Sequence, residues 1–92
     1  MCLDLKTEWK RLDLRALEAA KQAQANFQVC FDGARRGTGE ASGGMAVIAH
    51  SGSHRKLVFR AGRPFGIVRS AFLVEAMALE WALDVFMHLI VQ

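Results

Sequence analysis

Phe27-Gln28-Val29-Cys30-Phe31-Asp32-Gly33-Ala34 is the stretch on which the fold turns. Phe27, Val29 and Phe31 alternate with Gln28 and Cys30, the two-residue period of a strand with one face buried. The run ends in a carboxylate, Asp32, with Gly33 directly behind it. Alone, Asp-Gly is a turn signal. Forty-three residues further on, Glu75 stands early in a strongly apolar segment, Ala71 to Ile90. A carboxylate at a strand end and another near a helix start can converge on one divalent cation, and no other feature of the chain speaks of chemistry.

On the N-terminal side, residues 4–25 read as a helix. Leu5, Trp9, Leu12, Ala16, Leu17, Ala20 and Ala23 recur mostly three or four apart, with no Gly or Pro between them. Asp4 or Thr7 would cap it. On the C-terminal side, residues 33–44 hold five glycines and read as a loop. Met45–Ala49 and Lys56–Ala61 read as two strands joined through His50-Ser51-Gly52-Ser53-His54. Residues 62–66 with Pro64 read as a second loop. Ser70 suits the N-cap of a helix from about Ala71 to His88, and Leu89–Val91 reads as the start of a fourth strand. The expected order is α-β-β-β-α-β.

The apolar residues of 71–88 run nearly all the way round the helix, so it should be buried on more than one side. Glu75 shares a face with Leu79, Ala82, Leu83 and Phe86. A carboxylate buried there needs a cation to compensate it. Glu80 and Asp84 fall on the other side and read as the solvated stripe.

Ninety-two residues, 52% of them hydrophobic and 23% charged, make one small globular domain at most. The +3 formal charge is unevenly spread: residues 1–26 carry +1, residues 27–70 carry +5 and residues 71–92 carry −3. The central block, Arg35, Arg36, Arg55, Lys56, Arg60, Arg63 and Arg69, suits a polyanion held through its phosphates. A solvated loop surface is the alternative reading of the same charges. Cys2 and Cys30 form no disulfide framework, which fits a reducing compartment. The N-terminus is charged and has no apolar core segment, so a signal peptide is not expected. Glu75, Glu80, Asp84 and His88 break the longest apolar stretch, so no membrane span is expected. These readings point to an intracellular chain, in the nucleus or the cytoplasm.

Three strands in a meander, the first ending in Asp-Gly, then a helix with Glu in its first turns, resemble the ribonuclease H family. The residues that carry the likeness are Phe31-Asp32-Gly33-Ala34, then Ser42-Gly43-Gly44-Met45-Ala46-Val47-Ile48, then Ser70 through Leu83 with Glu75 among them. The resemblance covers about residues 27–92. It implies an α/β fold: a mixed sheet of three antiparallel strands plus a fourth parallel strand, one core helix, and residues 1–26 as an extra helical extension of a truncated domain. It implies hydrolysis of RNA–DNA hybrids, with Asp32 and Glu75 as catalytic ligands of two Mg²⁺ (or Mn²⁺) ions, weakly held here. It also implies that Gly33, Ala34, Arg35, Arg36, Gly43, Gly44 and Ser70 lie along the nucleic acid, an RNA–DNA hybrid or RNA.

The chemistry accords with these residue types. Two cations roughly 4 Å apart activate a water and stabilise the leaving oxygen of a phosphodiester, and hard oxygen ligands suit Mg²⁺. The family pattern has a third Asp just after the fourth strand, at or past Gln92, and further acidic and His residues beyond. The chain is therefore expected not to cleave on its own, and a non-catalytic remnant that binds nucleic acid or protein is the alternative. The sugar-kinase and actin superfamily shares the β-β-β-α-β order, but the loop expected at 33–43 is long for its phosphate loop. The strand edge left at Leu89–Val91 and the N-terminal helix are expected to promote self-association. His50 and His54 read as hairpin solvation and His88 as a partner of the helix dipole. Ser51, Ser53 and Ser70 have no base beside them, which argues against a nucleophilic hydrolase.

Overall fold

In the computed structural model, which describes residues 9–91, the alternating stretch Asn26–Arg35 is a strand paired antiparallel along its whole length with Glu40–Ser51, from Asn26↔His50 to Arg35↔Ala41. In chain order the elements are β1 (Trp9–Leu12), α1 (Leu14–Gln22), β2 (Asn26–Arg35), β3 (Glu40–Ser51), β4 (His54–Ile67) and α2 (Ala71–Val91). The four strands form one sheet in the order β1-β4-β3-β2, and every pairing is antiparallel.

β3 and β4 are longer than the sequence pattern suggests. Residues 33–35, 40–44 and 62–67 belong to the sheet, not to loops. Glycine weakens a strand but does not forbid one, and here each glycine has a main-chain partner: Gly33↔Gly43 and Gly44↔Gly62. The register of β3 on β4 slips twice, between Ala41 and Ser42 and between Val47 and Ile48. The second slip leaves Val58 as an extra residue, so Val58 and Phe59 are both buried although adjacent.

Both helices pack on one face of this sheet. Leu17 of α1 shares a core with Met45, Val47 and Ala49 of β3, Val58, Phe59 and Ala61 of β4, and Trp81, Ala82, Val85 and Leu89 of α2. Phe27 meets Phe86 edge to face, and Phe65 meets Trp81 likewise. A smaller cluster of Ala41, Val68 and Val74 sits under the start of α2.

Three expectations are corrected. Leu89–Val91 is the last turn of α2 and not a strand, so the sheet has no parallel fourth strand. Leu89 is buried and completes the stripe Val74, Ala78, Trp81/Ala82 and Val85, and nothing in the sequence stops the helix before it. The N-terminal helix begins at Leu14, because Asp13 caps it, its carboxylate accepting the Ala16 N–H at 3.0 Å. Trp9–Leu12 instead pairs with Phe59–Gly62 of β4 as an edge strand. The expected first turn at residues 4–8, and Gln92, lie outside the described residues. No helix among the described residues is long and apolar enough to cross a membrane.

Candidate functional site

Asp32 and Glu75 reach their positions through one close contact. Gly33 lies in β2 directly beneath the first turns of α2. A Cβ at position 33 would stand 2.8 Å from Val74 Cγ1 and 3.1 Å from the Val74 carbonyl oxygen. Only a residue without a side chain lets helix and strand approach this far. Asp32 and Glu75 are therefore the chain neighbours of two residues in contact, and both carboxylates are exposed. Gly33 faces α2, so by strand alternation Asp32 faces the open side of the sheet. Glu75 shares a flank of α2 with Leu79 and Phe86, and Phe86 touches Phe27, so that flank runs along β2, an edge strand. The two carboxylates thus lie on either side of one sheet edge. Glu75 is not buried on an apolar face and needs no compensating charge there. Among the described residues, no group of three or more His, Cys, Asp or Glu side chains gathers to hold a metal ion.

The start of α2 is capped as the sequence suggests. Ser70 Oγ accepts the Leu73 N–H at 3.3 Å, and the Ser70 carbonyl accepts from Val74. Arg35 ends β2 and donates Nε–H to the Val68 carbonyl at 2.6 Å, which ties the strand to the segment leading into α2. Arg36, Arg69 and Ser70 are exposed at this same end of the sheet, beside the positive end of the α2 dipole. Ala34 is exposed and pairs with Ser42. Gly43 is buried with its open side toward the Phe65 ring, and Gly44 lies between Asp32 and Gly62.

The remaining basic residues do not join them. Arg55 and Lys56 sit at the hairpin end, where Lys56 meets Asp13 at 3.8 Å in an exposed pair. Arg63 packs against Phe65, with its Nε buried and without a hydrogen-bond partner. Arg60 lies on the open face of the sheet, its guanidinium 5.1 Å from the centre of the Trp9 ring. The central basic block of the sequence thus divides among four places.

Trp9, Arg11 and Arg60 were not legible as a group. Trp9 and Arg11 belong to a segment whose spacing reads as helix, and only pairing with a strand some fifty residues away places them beside Arg60. Comparison of the chain with family models, curated proteins and solved structures returned no match.

Proposed function

We propose that the chain is a ribonuclease H-like nucleic-acid-binding module, one that holds an RNA–DNA hybrid or RNA by its phosphates and does not cleave it unaided. The observation that carries this reading is the Gly33–Val74 contact, which sets Asp32 and Glu75 on one sheet edge in the meander-then-helix order. Arg36, Arg69 and the α2 N-terminus stand at the same end and supply positive charge for a phosphate run. Asp32 and Glu75 stand on opposite faces of that edge and no third acidic, His or Cys side chain among the described residues gathers with them, so any Mg²⁺ or Mn²⁺ would be held weakly and would keep most of its waters. Hydrolysis by a two-metal route needs a second ion at about 4 Å, and two carboxylates do not gather that much charge. Such an activity belongs inside the cell, in the nucleus or cytoplasm, where hybrids arise.

The test is an end-labelled RNA–DNA hybrid incubated with the chain in Mg²⁺. Anisotropy should report binding that weakens steeply from ~50 to ~200 mM salt, and a denaturing gel should show the RNA intact. Cleavage abolished by Asp32→Asn would show a working enzyme instead. Absence of binding at the lower salt would remove the nucleic-acid reading.

One observation favours a second reading, a protein-binding surface. Phe72, Leu79 and Leu83 are exposed along the α2 flank that runs beside β2, an edge strand among the described residues, Phe72 by 81%. Exposed apolar stripes beside open strand edges are where chains associate.

A further inference from the structure

The face of the sheet opposite the helices carries a cross-strand row that spans all four strands: Trp9, Gly62, Gly44 and Asp32. The adjacent row is Arg11, Arg60, Ala46 and Cys30. The middle of the first row is two glycines, Gly62 and Gly44, and Ala46 lies beside Gly44 in the second, so the floor is flat there, with Arg60 standing at its margin. Over it lies a shallow groove of about 370 Å³, walled by Trp9, Leu57 and Arg60 on one side and Cys30 and Asp32 on the other. The Trp9 indole lies against Gly62, where any side chain would collide with it. Trp9 nevertheless keeps 45% of its surface exposed.

Along these two rows Arg11 and Arg60 gather at the β1–β4 end and Asp32 stands at the far β2 end, so the charge is positive where the Trp9 ring lies and favours an anion there. Arg11 and Arg60 stand directly opposite each other on β1 and β4. Like charges at paired positions repel. Neither forms an ion pair with the described residues: the acidic neighbour at this end, Asp13, caps α1 and meets Lys56. A phosphate between two guanidiniums would turn this repulsion into charge-assisted hydrogen bonds. The exposed part of the Trp9 indole, beside the Arg60 guanidinium 5.1 Å from its ring centre, offers a stacking surface that every base can use.

We infer that this open face binds single-stranded nucleic acid, with a base stacked on Trp9, its phosphate between Arg60 and Arg11, and the strand continuing over Gly62 and Gly44. The inference rests on the nucleic-acid reading above for the class of ligand only. It uses none of Arg36, Glu75 or Ser70. Flat floor, aromatic platform and paired cations suit an unpaired strand, whose bases are free to turn onto the sheet, better than a duplex, whose bases are already stacked.

Trp9 and Trp81 are the only tryptophans, and Trp81 is buried, so emission changes on the surface report Trp9. The full chain titrated with a short oligothymidylate should show saturable quenching. Tripolyphosphate, which has the charge but no base, should leave the emission nearly unchanged, and so should polyglutamate. With a labelled oligothymidylate read by anisotropy, Trp9→Ala should lose about tenfold or more in affinity and Trp9→Phe much less. Should Trp9→Ala detach β1, as a changed far-ultraviolet circular dichroism spectrum would reveal, Arg60→Gln and Arg11→Gln decide: each should weaken binding severalfold. Affinity within twofold of wild type in all three variants overturns the inference. Equal quenching by tripolyphosphate or polyglutamate overturns it too, leaving an anion site or an acidic-peptide site in its place. Loss of hybrid binding by the wild-type chain strikes the earlier reading, whereas absence of single-strand quenching alone strikes this one.

Discussion

Replacing Gly33 by alanine should destabilise the domain, and the size of the effect follows from its surroundings. The new methyl would meet Val74 Cγ1 at 2.8 Å, where ordinary contact begins at 3.4 Å, and the Val74 carbonyl oxygen at 3.1 Å. Neither atom can retreat easily. Val74 is 1% exposed, its β-branched side chain has one favoured rotamer in a helix, and its carbonyl belongs to the helix backbone. Overpacking of this kind costs about 1–3 kcal/mol. Alanine also restricts the unfolded chain relative to glycine, which returns roughly 0.4–1 kcal/mol. The net loss should be about 1–2 kcal/mol, a fall in Tm of roughly 5–15 °C for a domain of this size. Urea denaturation followed by circular dichroism measures it. A partner experiment sharpens the test: Val74→Ala removes the clashing methyls, so the double variant should be more stable than the two single losses predict, by about 1 kcal/mol. A Gly33→Ala chain as stable as wild type, or more stable, would mean that α2 does not cross β2 at this point. The placement of Asp32 and Glu75 at one sheet edge would then have no basis.

Gln24 closes α1 with a left-handed backbone, φ 55°, with the Ala25 N–H bonded to the Ala20 carbonyl, so Gln24→Gly should stabilise the fold by about 1 kcal/mol in the same urea assay. Arg35→Ala removes the bond to Val68 and should cost about 1 kcal/mol. Arg36→Ala should leave stability within about 0.5 kcal/mol while weakening hybrid binding, and equal behaviour of the two variants would refute the distinction. The wild-type chain should self-associate at micromolar concentration in sedimentation velocity, and Leu83→Glu on the exposed α2 stripe should shift it toward monomer. A wild-type chain that sediments as a monomer would count against that surface.

Much of the fold was legible because its strongest elements announce themselves locally. The alternation of β2, the Ser70 cap and the continuous apolar run of α2 needed no partner to be read. What failed was decided by partners distant in sequence. Trp9–Leu12 has helical spacing, but β4 offers it a row of main-chain partners and Asp13 offers α1 a later start. Gly33, Gly43, Gly44, Gly62 and Gly66 look like loop residues until strands on either side supply partners, whereas Gly37 and Gly39 do lie in the turn between β2 and β3. Leu89–Val91 is β-prone in isolation and helical because Leu89 closes the buried stripe of α2. The same holds at the site. Asp32 and Glu75 stood out through residue type and order, whereas the Trp9–Arg60–Arg11 group exists only through the register of β1 on β4.

Amide chemical-shift mapping of the isotope-labelled chain, titrated with an RNA–DNA hybrid at low salt, locates the contact surface itself. Shifts should concentrate at Asp32–Arg36, Gly43–Gly44 and Arg69–Ser70, and should vanish together as salt rises. Shifts confined to the α2 stripe of Phe72, Leu79 and Leu83, or no shifts at all, would contradict a nucleic-acid-binding module built on the Asp32–Glu75 edge.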